Sequence, residues 1–307
     1  MSEPASTPTS NKGPRPQDID ERAVRHQARR LARASQPPWL HVEVAGRMAE
    51  RLAYIKLQPA RVLDATPALG ASEEALREAY PKAEVLWHEA DEALAAHVAR
   101  ARQAGWWQRL RGSGSARLPR LPAQPPVDLL WSNMALHACA DLPALLAQWH
   151  ASIAVGGFVM FSCLGPDSFV ELRPLYARNG WGRPAPDWWD MHDVGDLLLQ
   201  AGFADPVMDQ QRLRLTWASA ESLLADLRAL GGNLAPTRFA GLRGRRWRQR
   251  LLEEIDTLRG EDGRLALTVE VVFGHAFVAA PRLAVAAETQ VSLETMRATL
   301  RKGRSGG

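Results

Sequence analysis

A chain of 307 residues that is 46% apolar is long enough to bury a sizeable core, as one large domain or two small ones. It has no run of eighteen or more apolar residues, and the stretch from Met1 to Asp20 is polar and lacks the apolar segment of a secretory signal, so the sequence excludes a spanning helix and reads as cytoplasmic. The formal charge of +4 and the pI of about 9.4 raise the question of nucleic acid, yet only four of the 38 basic residues are lysines and acidic residues are spread among the arginines.

Residues 1–20 read as a disordered leader, 21–280 as one folded domain and 281–307 as a partly disordered tail. Residues 22–35 form a basic helical stretch broken by Pro37-Pro38, and 42–57 resume with the apolar spacing of a helix lying on a sheet. A β-α repeat then begins: strand 61–64, helix 72–80, strand 84–88, helix 91–103. The segment 105–126, rich in Gly, Pro and Arg with Trp106-Trp107, reads as a loop with a third strand inside it. Residues 127–133 are a fourth strand, 142–153 a helix, Gly156-Gly157 a turn and 158–162 a fifth strand. A helix at 168–176, an aromatic loop at 181–189 and a helix at 194–201 stopped by Gly202 follow. The β-rich runs 209–217 and 265–279 predict antiparallel edge strands around helices 219–230 and 245–258, and one short helix lies past Gln290. Alternating strands and helices demand a mostly parallel sheet, an α/β Rossmann-like fold.

The chemistry concentrates in Arg61-Val-Leu-Asp-Ala-Thr-Pro-Ala-Leu-Gly70, which has the strand-then-turn layout of a nucleotide-binding loop with a single glycine, Gly70. Asp64 ends the first strand, and Glu89, 25 positions later, stands where a dinucleotide-type fold grips a ribose. The competing reading of an acid at a strand end is a turn former or helix cap. Cys139 and Cys163 lack CxxC spacing and read as packing residues. His137 and His192 have no partner at metal spacing, so no metal is expected. The run Arg243–Arg250 reads as the start of an amphipathic helix with a basic face rather than as a nucleic-acid site.

Five blocks carry a resemblance: Asp128-Leu-Leu-Trp-Ser-Asn-Met-Ala-Leu-His137, Gly156-Gly-Phe-Val-Met-Phe-Ser162, Gly165-Pro-Asp-Ser-Phe-Val-Glu-Leu-Arg173, Met191-His-Asp-Val-Gly-Asp196 and Ala201-Gly-Phe-Ala-Asp-Pro-Val-Met-Asp209. In this order, from about Arg30 to Ala280, the chain resembles the malonyl-acyl-carrier-protein O-methyltransferases of biotin synthesis. The resemblance implies a class I methyltransferase with a seven-stranded sheet, S-adenosylmethionine as cofactor, and an acyl carrier protein or malonyl thioester as partner. It places Asp64 and Gly70 beside the methionyl moiety, Glu89 at the ribose hydroxyls, and Asn133 with Leu136 near the transferable methyl. Asn133 also reads as a turn cap, and Leu136 as plain core. A cation is needed for the malonyl carboxylate, and Arg173 is the candidate; its alternative is a surface arginine paired with Glu171 or Asp167. Trp181, Trp188 and Trp189 read either as a lid over the acyl entrance or as packing.

Three departures from the family pattern converge on the cofactor pocket. Thr66 and Ala68, with Pro67 between them, replace two of three loop glycines; no acid follows the third strand; and Ala34 stands in place of an aromatic residue, with Trp39 nearby. Added Cβ atoms and a fixed proline φ are expected to oppose positive φ and close backbone approach. Two readings remain open at this point: a methyltransferase with weakened or lost cofactor binding, and a catalytically degenerate protein that binds a partner through the same face.

Overall fold

The computed structural model describes residues 19–34, 36–104, 116–239, 241 and 243–280. The leader up to residue 18, Trp106-Trp107 and the tail from 281, with its expected short helix, lie outside the described residues. The chain runs α1 (Glu21–Leu31), α2 (Trp39–Leu52), β1 (Arg61–Asp64), α3 (Glu73–Ala79), β2 (Glu84–Trp87), α4 (Glu92–Ala104), β3 (Ala116–Arg117), β4 (Val127–Ser132), a 3₁₀ turn (Leu136–Ala138), α5 (Leu142–Ser152), β5 (Ile153–Leu164), α6 (Leu172–Arg178), α7 (Met191–Gln200), β6 (Ala204–Trp217), α8 (Ala220–Ala229), α9 (Arg245–Asp256) and β7 (Leu265–Phe277).

The seven strands form one sheet in the order β3-β2-β1-β4-β5-β7-β6. β1 pairs in parallel with β2 and β4, β4 with β5, and β2 with β3. β7 lies antiparallel between β5 and β6. The two late strands therefore pair as expected, but only β6 is an edge; β7 is internal because its Val269, Val271 and Phe273 are apolar enough to be covered.

Alternation along the central strands builds two layers. Leu129, Trp131, Phe158 and Met160 face one side with Leu40, Val44 and Met48 of α2 and Leu251 and Ile255 of α9. Leu130, Val159, Phe161 and Cys163 face the other with Leu142, Leu146 and Trp149 of α5 and Val194 and Leu198 of α7. A third, smaller cluster joins Ala28 and Ala32, in and just after α1, to Ala68, Trp87, Leu94, Ala95 and Val98. Helices start where carboxyl or hydroxyl side chains accept the free N–H groups of the first turn: Asp20 at α1, Asp91 at α4, Asp141 at α5, Asp190 at α7 and Ser219 at α8.

Some expected boundaries shift for physical reasons. α2 begins at Trp39 directly after Pro38, where a missing N–H costs nothing, and ends at Leu52 instead of reaching 57. β5 starts at Ile153, and the Gly156-Gly157 pair is an irregularity inside the strand rather than a turn before it; Gly156 takes φ 86°, and the register against β4 shifts there. The helix expected at 168–176 starts at Leu172, because Phe169 sits at φ 57° in the turn that precedes it. Replacing Leu130, fully buried in the central strand, by Ala is expected to cost about 2–5 kcal/mol in a denaturant melt.

Candidate active site

The loop after β1 lies at the carboxyl ends of the strands, beside the boundary between β1 and β4. One side chain holds it. Asn133, fully buried, donates through Nδ2 to Gly70 O at 2.7 Å and to His41 O at 2.8 Å, and its Oδ1 accepts from Ser162 Oγ at 2.6 Å. Its backbone N–H donates to Thr66 Oγ1 at 2.9 Å, so one residue ties the loop, α2, β4 and β5 together. Trp131 Nε1 donates to Ser72 Oγ at 2.7 Å, and Ser72 Oγ donates to Gly70 O at 3.0 Å.

The substitutions for glycine do not strain the loop. Neither Thr66 nor Ala68 takes a positive φ; the left-handed residues are Ala71 at 51° and Met134 at 54°. Thr66 supplies what glycine lacks, a hydroxyl that accepts from Asn133 N–H. The remaining glycine is required: a Cβ on Gly70 would lie 2.5 Å from Thr66 O and 2.7 Å from Thr66 Oγ1.

Asp64 is 1% exposed and accepts from Thr66 N–H at 2.9 Å. Burial pushes its carboxyl up to about 7. Glu89 lies just past β2, and burial, with a contribution from the Asp64 charge, pushes its carboxyl up to about 8. Arg102 of α4 draws Asp64 down, pairs with Glu73 at 3.0 Å and stands 5.4 Å from the Trp87 ring centroid. Its Nη1 is buried with no hydrogen-bond partner among the described residues. Arg117 lies 5.6 Å from the same ring, so the region where family members place an acid is cationic here. Two buried acids, both held above the usual carboxylate range by burial, thus lie beside the loop.

A small, mainly apolar cavity of about 10 Å³ is lined by Leu136, His137, Cys163, Leu164, Trp188 and Trp189, among others. Leu136, 2% exposed on the 3₁₀ turn, packs in the core with Leu63, Leu130 and Phe161 and borders this small space. His137 is pushed down to about 3 and His41 to about 4, each chiefly by burial, so both are neutral at physiological pH. His41 presents Nδ1 to Leu69 O at 2.9 Å, which sets that ring nitrogen as the protonated one. Trp188 Nε1 donates to His137 O at 3.2 Å, and its ring packs on Phe169. Trp181 packs on Tyr176 and Trp247. Trp188 is thus a packing element of the cavity wall, and Trp181 packs away from it.

Asp64, Gly70, Glu89 and Asn133 thus meet at one place. Arg173 does not join them: it is exposed on α6 and donates to Pro166 O, outside the lining of the cavity. Its alternative partners are engaged elsewhere, Asp167 with Arg212 and Glu171 with Thr268 at 2.6 Å. Sequence reasoning missed Arg102, His41 and Ser162. Arg102 sits 38 positions from Asp64 in an ordinary helical pattern, and nothing in the chain marks it. Trp39, offered as a replacement aromatic, is 42% exposed at the start of α2. Among the described residues no group of His, Cys, Asp and Glu is arranged to hold a metal, and no helix is long and apolar enough to cross a membrane.

The strand order with its antiparallel β7, and a loop-and-acid crevice at the carboxyl ends of β1 and β2, define a class I methyltransferase fold. A solved structure, the YcgJ protein from Bacillus subtilis, superposes with a TM-score of 0.50 at 11% identity, covering 78% of this chain and 99% of that one. No family model matches the chain. Curated relatives are more informative: a malonyl-[acyl-carrier protein] O-methyltransferase from Gallionella capsiferriformans is 42% identical over 274 residues, 86% of this chain and 93% of the relative. The protein of the same name from Laribacter hongkongensis is 41% identical over 254 residues, 79% and 84% of the two chains. The chain belongs to the malonyl-acyl-carrier-protein O-methyltransferase family.

Thr66→Gly, which restores a family glycine, is expected to weaken S-adenosylmethionine binding about tenfold in calorimetry, because it removes the hydroxyl that accepts from Asn133 N–H and leaves that buried donor unpaired beneath the loop; tighter binding would refute that role. The carboxyl shifts set a pH dependence. Acids whose folded values are raised stabilise the ligand-free chain relative to its unfolded state at pH below about 4, and that contribution is lost as pH rises through about 7 and about 8. The ligand-free melting temperature is expected to fall between pH 6 and 9 while affinity for the cationic cofactor rises, with both trends reduced in Asp64→Asn.

Proposed function

We propose that this chain transfers a methyl group from S-adenosylmethionine to the free carboxylate of a malonyl thioester carried by an acyl carrier protein, in the synthesis of a biotin precursor. The observation that carries this reading is the Asn133–Thr66–Asp64 linkage, which holds the loop and Asp64 in place although two glycines are absent. The alternative of a degenerate binding module rested on those absences, and the loop geometry removes its motive.

The cofactor, when bound, supplies an electrophilic methyl on a sulfonium. The attacking carboxylate is already ionised at neutral pH, so the chain needs no general base. Its residues accord with that. His41 and His137 are neutral and buried, and what surrounds them is apolar: Leu136, Leu164, Trp188 and Trp189 exclude water and so strengthen the attraction between carboxylate and sulfonium. Asp64 and Glu89 would hold the cofactor through its cationic and hydroxyl groups, and Asn133 positions the loop that carries Asp64. Arg173, tethered to Pro166 O on the rim, is not required by this geometry.

Purified chain incubated with S-adenosylmethionine and malonyl carrier protein is expected to yield the methyl ester by mass spectrometry, and expression is expected to rescue a biotin auxotroph that lacks its own methyltransferase. No ester from soluble, cofactor-binding protein would overturn the proposal. Arg173→Ala is expected to keep kcat/KM within about threefold, less than about 0.7 kcal/mol of transition-state stabilisation.

A further inference from the structure

α1 roofs both halves of the site. Ala28 and Ala32 pack on Ala68 of the loop and on Leu94, Ala95 and Val98 of α4. Ile19, two residues before the helix, lines the cavity with Leu136, His137 and Trp188. The helix is fixed sideways by Arg30, which donates to Arg228 O at 2.7 Å, and by Asp20, which pairs with Arg238 at 2.7 Å.

Its outer face is different in kind. Arg22, Arg25, His26 and Arg29 recur at three- and four-residue spacing, so they share one stripe opposite Ala28, and Arg33 extends the stripe into the turn that follows. All five are exposed. Only Arg25 has a carboxylate partner among the described residues, Glu21 at 3.3 Å with both side chains largely in water. Like charges at i, i+4 repel, and apart from the exposed Arg25–Glu21 pair no carboxylate among the described residues offsets them, so the stripe favours an anionic partner.

The rest of the helix narrows the partner's class. α1 carries no Phe, Tyr or Trp on which bases could stack, and its apolar face is covered by α4 and the loop, leaving none for a bilayer. From Arg22 to Arg33 the stripe spans about 16 Å, the length of a short helix on a small protein. We propose that the outer face of α1 is the docking surface for the acidic carrier protein that delivers the acyl group. This rests on the reading given under Proposed function, and it places the carrier on the helix whose inner face packs on the loop and whose preceding residue, Ile19, lines the small apolar cavity.

The test uses the full chain carrying Arg22→Glu, Arg29→Glu and Arg33→Glu together. Fluorescence anisotropy with labelled malonyl carrier protein reads binding whether or not transfer occurs, and initial rates compare malonyl carrier protein with malonyl-pantetheine, which has no protein. The triple variant is expected to bind the carrier at least tenfold more weakly and to lose kcat/KM on the carrier through KM, with its rate on malonyl-pantetheine unchanged. A control with the same change of charge, Arg245→Glu, Arg246→Glu and Arg248→Glu on α9, is expected to leave carrier affinity unchanged. Unaltered carrier binding in the α1 variant, equal losses on both thioesters, or an equal loss in the α9 control would each overturn the docking surface. Carrier binding that depends on α1 without any methyl transfer would instead overturn the proposed activity.

Discussion

A buried primary amide organises this active-site region. Asn133 has both Nδ2 hydrogens and its Oδ1 engaged, and its partners come from segments distant in the chain: His41 at the start of α2, Gly70 in the loop and Ser162 in β5. Burying such a group is favourable only when each donor and acceptor is matched, so it fixes the relative positions of three elements more sharply than apolar contact could. Left-handed backbone at Ala71 and Met134, on either side of this junction, costs on the order of 1–3 kcal/mol each and persists because the surrounding bonds hold it.

The same junction explains how the cofactor loop tolerates Thr, Pro and Ala. Glycine is demanded where φ is positive or where another atom comes too close. Only Gly70 of the original set meets that demand, through its approach to Thr66. Pro67 and Ala68 occupy ordinary backbone, and Ala68 gains contact with Ala28 and Ala32. The loop departs from the family pattern in sequence, yet it is held at both ends, by Thr66 N–H on Asp64 and by Asn133 Nδ2 on Gly70 O.

The charge distribution follows a related logic. Asp64 and Glu89 are buried near each other and held close to neutrality, while Arg102 lies beside them with an unpartnered Nη1. Such an arrangement stabilises the apo fold less than an apolar replacement would, and its retention is understandable as binding chemistry. On the outside, α1 carries exposed arginines, whereas its inner face is apolar against the loop and α4, separating recognition of a partner on one face from packing on the other.

The order of elements, the apolar alternation of β4 and β5 and the convergence of Asp64, Gly70 and Glu89 were legible in the chain, because they depend on local period and on turns between neighbours in sequence. The blocks around Asn133 and Gly165 also sufficed to show the family. Tertiary structure alone decided that β7 is inserted between β5 and β6, that Thr66 and Asn133 bond across 67 positions, that Arg102 reaches the acids and that Arg173 faces away from the cavity. Those outcomes depend on side-chain atoms meeting over long separations in the chain, and no periodicity or spacing encodes such a meeting. What the amino-acid order determined was which surfaces are apolar and where the backbone turns; which polar atoms found each other was settled only when the layers packed.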